Sequence, residues 1–168
     1  TATTVYTGSA DFTIAPRAMS EVEVTLGDAL TYNRAEQTQT VSSVKFNGED
    51  VPYTVTGNTG TDAGKYTLTV TAASGNYTGS TTVPFEIARK IITAAVTVKG
   101  APFVYTGSAV TPEIEAYDGR ALIPASEYTV SYTANTNAGT ATVTLTDAAN
   151  GNYEVSGTTT FEIDKAAQ

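Results

Sequence analysis

The feature that most constrains this 168-residue chain is that it repeats itself. Val51-Pro52-Tyr53-Thr54-Val55 is answered by Ser126-Glu127-Tyr128-Thr129-Val130, and Thr61-Asp62-Ala63-Gly64 by Thr136-Asn137-Ala138-Gly139. Gly75-Asn76-Tyr77 returns as Gly151-Asn152-Tyr153, and Phe85-Glu86-Ile87 as Phe161-Glu162-Ile163. Tyr32 and Tyr105 lie 73 positions apart, Phe85 and Phe161 76. So small a drift places insertions in turns and fixes the architecture as a tandem array. The first repeat is expected over 16–88 and the second over 89–165, with 166–168 a tail. Residues 1–15 carry Tyr6-Thr7-Gly8-Ser9 and Phe12-Thr13-Ile14, which copy the end of a repeat. They are expected to be the closing strand of a preceding unit, adding a strand to the first repeat or remaining partly mobile, because an isolated hairpin is marginal in water.

Within each repeat the apolar residues fall at every second position. Tyr66, Leu68 and Val70 alternate with Lys65, Thr67, Thr69 and Thr71, and Val143 and Leu145 alternate with Thr142, Thr144 and Thr146. Such spacing puts one face in a core and the other in water. Glu21–Leu26 and Val96–Val98 read as opening strands. Asn47-Gly48, Asp118-Gly119 and the Gly-Asn steps supply the turns, since hairpins favour residues that tolerate positive φ. Thr makes up roughly a fifth of the chain, and β-branched and aromatic residues suit a pleated surface. No segment of helix length carries a 3.6-residue apolar spacing. The expected fold is therefore all-β: two small antiparallel β-sandwich repeats of Ig-like architecture, set end to end, with a β-grasp-like repeat as the alternative. The linkers Ile14-Ala15-Pro16-Arg17 and Ile87-Ala88-Arg89-Lys90 are short and hold no Gly or Ser, unlike flexible tethers.

The absences narrow the chemistry. There is no Cys and no His. Disulfides, thiolate metal sites and Ser-His-Asp catalysis are thereby excluded. The net charge of −8 argues for solubility and against nucleic acid or an anionic membrane surface, both of which need a basic patch. No apolar run is long enough to span a bilayer. No catalytic, cofactor-binding or metal-binding residues are expected, and the chain is expected to be a monomer. Glu49, Asp50 and Asp62 lack the dense, regular ligand spacing of a calcium loop and read as turn residues. Lys90 and Asn152 could be cast as the partners of an intramolecular isopeptide bond, but Arg17 stands near the position of Lys90 in the first repeat, and ordinary turn chemistry is favoured. Asn76-Tyr77-Thr78 fits a glycosylation sequon, with an unmodified turn the favoured reading.

Ten Tyr residues raise the prospect of a ligand platform. Tyr32/Tyr105, Tyr53/Tyr128 and Tyr77/Tyr153 recur between repeats, as core or rim residues should. Tyr66, Tyr117 and Tyr132 do not recur, and are the candidates for exposed ligand contacts.

The run Tyr105-Thr106-Gly107-Ser108-Ala109-Val110-Thr111-Pro112, then Asp118-Gly119, Tyr128–Tyr132, Asn137–Ala141, Gly151-Asn152-Tyr153 and Phe161-Glu162-Ile163, resembles the Ig-like, MBG-type β-repeats strung in tandem in bacterial cell-surface proteins. The match is tightest over 101–165, while Asn33-Arg34 departs from the Thr-Gly step. The resemblance implies an extracellular, cell-wall-attached stalk or spacer whose partners are neighbouring repeats of the same chain. The alternative is an adhesion module that binds a host glycan, mucin or matrix protein through loops or a sheet edge; an enzyme-associated accessory module is a weaker third.

Overall fold

The computed structural model describes residues 1, 3 and 8–167. Over the first repeat the strands are β1 (Arg17–Ala18), β2 (Glu23–Leu26), β3 (Leu30–Thr31), β4 (Gln37–Thr38), β5 (Val41–Phe46), β6 (Glu49–Asp50), β7 (Tyr53–Thr56), β8 (Thr59–Gly60), β9 (Gly64–Ala72), β10 (Tyr77–Thr78) and β11 (Ser80–Ala88). Over the second they are β12 (Lys90–Thr93), β13 (Ala95–Val98), β14 (Phe103–Val104), β15 (Ile114–Asp118), β16 (Ala121–Ile123), β17 (Tyr128–Thr133), β18 (Gly139–Asp147) and β19 (Tyr153–Asp164). Two single 3-10 turns, Met19–Glu21 and Ala125–Glu127, are the helical elements among the described residues. The fold is all-β with several sheets, as the alternation requires. Residues 8–16 form no strand; Tyr6 and Thr7 of the expected closing strand lie outside the described residues.

The chain packs as two compact units, which do not follow the repeat boundary at 88/89. One comprises Thr1–Asp28, Gln39–Asn58 and Thr67–Pro84; the other comprises Ala29–Thr38, Thr59–Tyr66 and Phe85–Gln168. In the first unit β2, β5 and β6 form an antiparallel sheet, and β7 pairs antiparallel with the second half of β9. The β5–β6 turn is Asn47-Gly48, with φ of 51° and 87°, the double positive φ that Asn-Gly suits. Its core holds Met19, Val44, Val51, Leu68 and Val70.

In the second unit the larger sheet runs β12-β19-β18-β17, with β14 also on β19, and the smaller runs β13-β15-β16. Ala141, Val143 and Leu145 of β18 are buried, as are Tyr153, Val155, Phe161 and Ile163 of β19. Thr144, Thr146, Thr158 and Thr160 stand in solvent on the intervening positions. One cluster gathers Ala94, Ala116, Ile123, Tyr128, Leu145, Tyr153 and Val155, and a second gathers Ala141, Val143, Phe161 and Ile163. Segments from the first repeat complete this unit: β3 pairs with the end of β11, and β4 with β8.

Two features depart from the expected antiparallel pairing. The opening strand of the second repeat changes sheets at buried Ala94, so that β12 lies on β19 and β13 on β15. β12 and β14 both run parallel to β19, as β1 does to β10 and β3 to β11. Parallel pairing follows where the first residues of a repeat sit beside the start of its closing strand, here through the 3.0 Å bond from Lys90 N to Asn152 O.

Candidate functional site

The three tyrosines singled out by their failure to recur are all half-buried, with each hydroxyl donating inside the protein. Tyr66 donates to Asp62 O at 2.7 Å and stacks on Phe85, with ring centroids 5.2 Å apart. Tyr117 donates to Glu115 Oε2 at 2.5 Å; Glu115 also pairs with Lys99 at 2.7 Å. The Lys99 ammonium, then the Tyr117 hydroxyl, holds the Glu115 carboxyl below its ordinary pKa, and bonding to Glu115 raises that of Tyr117. Tyr132 donates to Pro112 O at 2.5 Å, and its ring meets the edge of Phe161. Each is committed to a different set of neighbours, so the geometry gathers no common tyrosine platform.

Of the recurring tyrosines, Tyr128 and Tyr153 are buried, Tyr53 is half-buried with its hydroxyl on Val41 O, and Tyr105 is exposed. Tyr32, the counterpart of Tyr105, meets the edge of Tyr153 at 5.2 Å and 83°. Burial, then the neighbouring Tyr153 hydroxyl, raises the Tyr32 pKa.

Tyr153 lies at the junction of the two sequence repeats, and polar groups close around it. Arg34 donates from Nε to the Tyr153 hydroxyl, holds its guanidinium 5.5 Å from that ring, and reaches Leu122 O at 3.4 Å. The Arg34 backbone has φ of 72°, matching the 82° of Gly107, its counterpart in the second repeat. A non-glycine residue in that region costs about 1 kcal/mol or more, and here its side chain is bonded across the junction. Beside it, Ala63 N donates to Asn152 Oδ1 at 2.7 Å, and Asn152 Nδ2 donates to Asp62 Oδ1 at 3.1 Å. Asn152 therefore binds the preceding repeat's turn, while Lys90 Nζ pairs with Asp118 at 2.5 Å. The two residues of the isopeptide candidate are engaged with different partners.

Around the same loop, Arg89 grips Asp147 with two bonds of 2.8 and 2.5 Å and donates to the carbonyls of Gly151, Ala148 and Tyr153. Its bond to Arg89, chiefly, and the Val155 N–H hold the Asp147 carboxyl below its ordinary pKa, against the opposing effect of burial. Glu127 is buried, and its Oε2 accepts from Asn152 N at 2.6 Å and Tyr153 N at 3.2 Å. A Cβ on Gly151 would lie 2.2 Å from that oxygen, so the carboxylate approaches as closely as it does because the residue is glycine. The repeat comparison sets Glu127 opposite Pro52, Arg89 opposite Pro16 and Arg34 opposite Gly107, residues of another kind, and the sequence gives none of the three a partner. That exchange of kind between aligned positions is the signal the sequence carries.

Among the described residues no group of three or more acidic, His or Cys side chains could hold a metal ion. Among the same residues no helix is long and apolar enough to cross a membrane. A cleft of about 540 Å³ opens between β13 and β19, lined among others by Val96, Val98, Phe103, Thr160, Phe161 and Glu162. No protein-family model matches the chain, and neither does any curated protein or solved structure.

Proposed function

We propose that the chain is a non-catalytic stalk or spacer segment of a bacterial cell-surface protein, made of Ig-like β-sandwich repeats in tandem and working outside the cell. The observation that carries this reading is the bonded repeat junction. Tyr32, Arg34, Asp62 and Ala63 from the first repeat are all engaged with Asn152 or Tyr153 of the second. A spacer needs each repeat to be fixed to the next, whereas independent binding modules can hang on loose tethers. The outward positions of β17, β18 and β19 support the same reading, because Thr129, Ser131, Thr144, Thr146, Thr158 and Thr160 clothe them with short hydroxyl side chains rather than clustered rings.

Two measurements test it. Binding of the chain to mucins, glycans and matrix proteins should be absent at high micromolar concentrations. Exchange of the segment for an unrelated rigid β-spacer of equal length should leave the parent protein's activity intact. Saturable binding that is lost when Tyr66, Tyr117 or Tyr132 is changed, or an activity that disappears with the exchange, would replace the spacer by the adhesion module.

A further inference from the structure

The first repeat holds the Gly151-Asn152-Tyr153 loop of the second with two short stretches, Tyr32–Arg34 and Asp62–Ala63. The second repeat builds the same two stretches at its own far end. Leu30 and Thr31 lie parallel to Ile87 and Ala88, and Phe103 and Val104 lie parallel to Ile163 and Asp164. The next residue closes both pairs alike: Tyr32 N donates to Ala88 O, and Tyr105 N to Asp164 O, each at 2.8 Å. Two residues on, Arg34 and Gly107 share a left-handed backbone. Gln37 pairs with Gly60 in the first repeat, and Val110 N donates to Asn135 O at 2.8 Å in the second. Those bonds hold the turn carrying Asp62-Ala63, or Asn137-Ala138, beside the tyrosine stretch.

The chemistry of the face is kept along with its backbone. At the existing junction Asn152 uses both halves of its amide: Oδ1 accepts from Ala63 N at 2.7 Å, and Nδ2 donates to Asp62 Oδ1 at 3.1 Å. Ala138 carries the same N–H, and the Asn137 side-chain oxygen can replace the Asp62 carboxylate as acceptor, with a weaker bond. Tyr105 supplies the ring that Tyr32 sets against Tyr153. Only the guanidinium of Arg34 has no replacement, since Gly107 stands there. The face is open: Tyr105 is 40% exposed, and Asn137 and Ala138 are exposed as well. Stacked repeats are joined by interfaces that recur from one neighbour to the next.

We infer that the end face formed by Tyr105, Asn137 and Ala138 is a docking site for the Gly-Asn-Tyr loop of a further repeat of this type. The Asn side chain of that loop bonds Ala138 N and Asn137 Oδ1, and its Tyr ring packs on Tyr105. The inference deepens the spacer reading and rests on its tandem arrangement: the contact at Tyr153 becomes one instance of a joint that the chain can repeat.

The test is a three-repeat chain in which a copy of residues 90–165 follows Lys165, the residue aligned with Arg89. Amide hydrogen exchange at Ala138 should be several-fold slower than in the original chain. Asn152→Ala in the added copy alone should return it to the original rate. Asn137→Ala should lower the melting transition of the added repeat, and Asn137→Asp should not, because Asp is the residue the first repeat uses. Equal exchange at Ala138 in the two chains, or a rate indifferent to Asn152→Ala, would overturn the inference. So would an added copy that stays unfolded, since the face would then fail to do what the first repeat does for residues 89–165. Protection in the original chain that rises with its own concentration would give the face to the Gly75-Asn76-Tyr77 loop of a second copy, and the following repeat would lose it. The spacer reading has its own separate tests, ligand binding and exchange of the segment, which none of these results moves.

Discussion

Around Tyr153, single side chains carry an unusual share of the organisation. Arg89 makes five donor contacts with one loop, and Lys cannot reproduce a planar fork that serves a carboxylate and three carbonyls together. Arg89→Lys should lower stability by about 1–2 kcal/mol in urea unfolding, nearly as much as Arg89→Ala. Glu127→Ala strips two buried N–H groups of their acceptor and should cost about 2 kcal/mol, with Glu127→Gln recovering part of it. Gly151→Ala should act through the same carboxylate by pushing it off those donors, so the double variant with Glu127→Ala should cost less than the sum of the two. Asp147 sets a pH dependence. Its folded pKa lies below the ordinary aspartate value of about 3.9, so its contribution is complete above that value and is lost as pH falls through the folded pKa. Thermal unfolding between neutral pH and strong acid should show this acid loss, and Asp147→Asn should flatten that part of the profile.

At the scale of elements, what could be read in advance was what period two encodes. Thr142, Val143, Thr144, Leu145 and Thr146 alternate in sequence and in burial, and the Phe-x-Ile pairs at 85–87 and 161–163 are buried in both repeats. Asn47-Gly48 forms the turn its chemistry demands. Partner choice was not legible. Val96–Val98 reads as the opening strand, yet the chain first lies on β19 as β12 and crosses at Ala94 to the other sheet, because a period-two pattern states which face is buried and not which neighbour accepts the bonds. The site was less legible still. Tyr66, Tyr117 and Tyr132 stand out in the sequence by not recurring, but a hydroxyl's partner is set by what the fold brings near it: Asp62, Glu115 and Pro112. Arg34 occupies a left-handed position that Gly107 fills in the other repeat, so its letter conceals the turn it adopts.

For the whole molecule, the second repeat's buried surface includes pieces of the first. Residues 29–38 and 59–66 belong to the same compact unit as residues 85–168. A fragment of residues 89–165 should therefore unfold at a lower temperature than the corresponding transition of the full chain. Arg34→Ala combined with Asn152→Ala should move the full chain towards the fragment, by about 2 kcal/mol. Equal melting temperatures for fragment and chain would remove the junction's energetic role and with it the main support for a spacer.

The parallel pairing of β12 with β19 has a consequence for tension. β12 is entered at the start of the repeat and β19 leaves at its end, and the two run in the same direction. Pulling the repeat's ends apart draws neighbouring strands in opposite senses along their own axes. The load then falls on the bonds from Lys90–Tyr153 to Thr93–Ser156 together, in shear, instead of opening them one after another as a zipper would. The short β14 contact at Ile163 and Asp164 is loaded in the same sense. A repeat tied in this way yields late and abruptly when stretched from its ends.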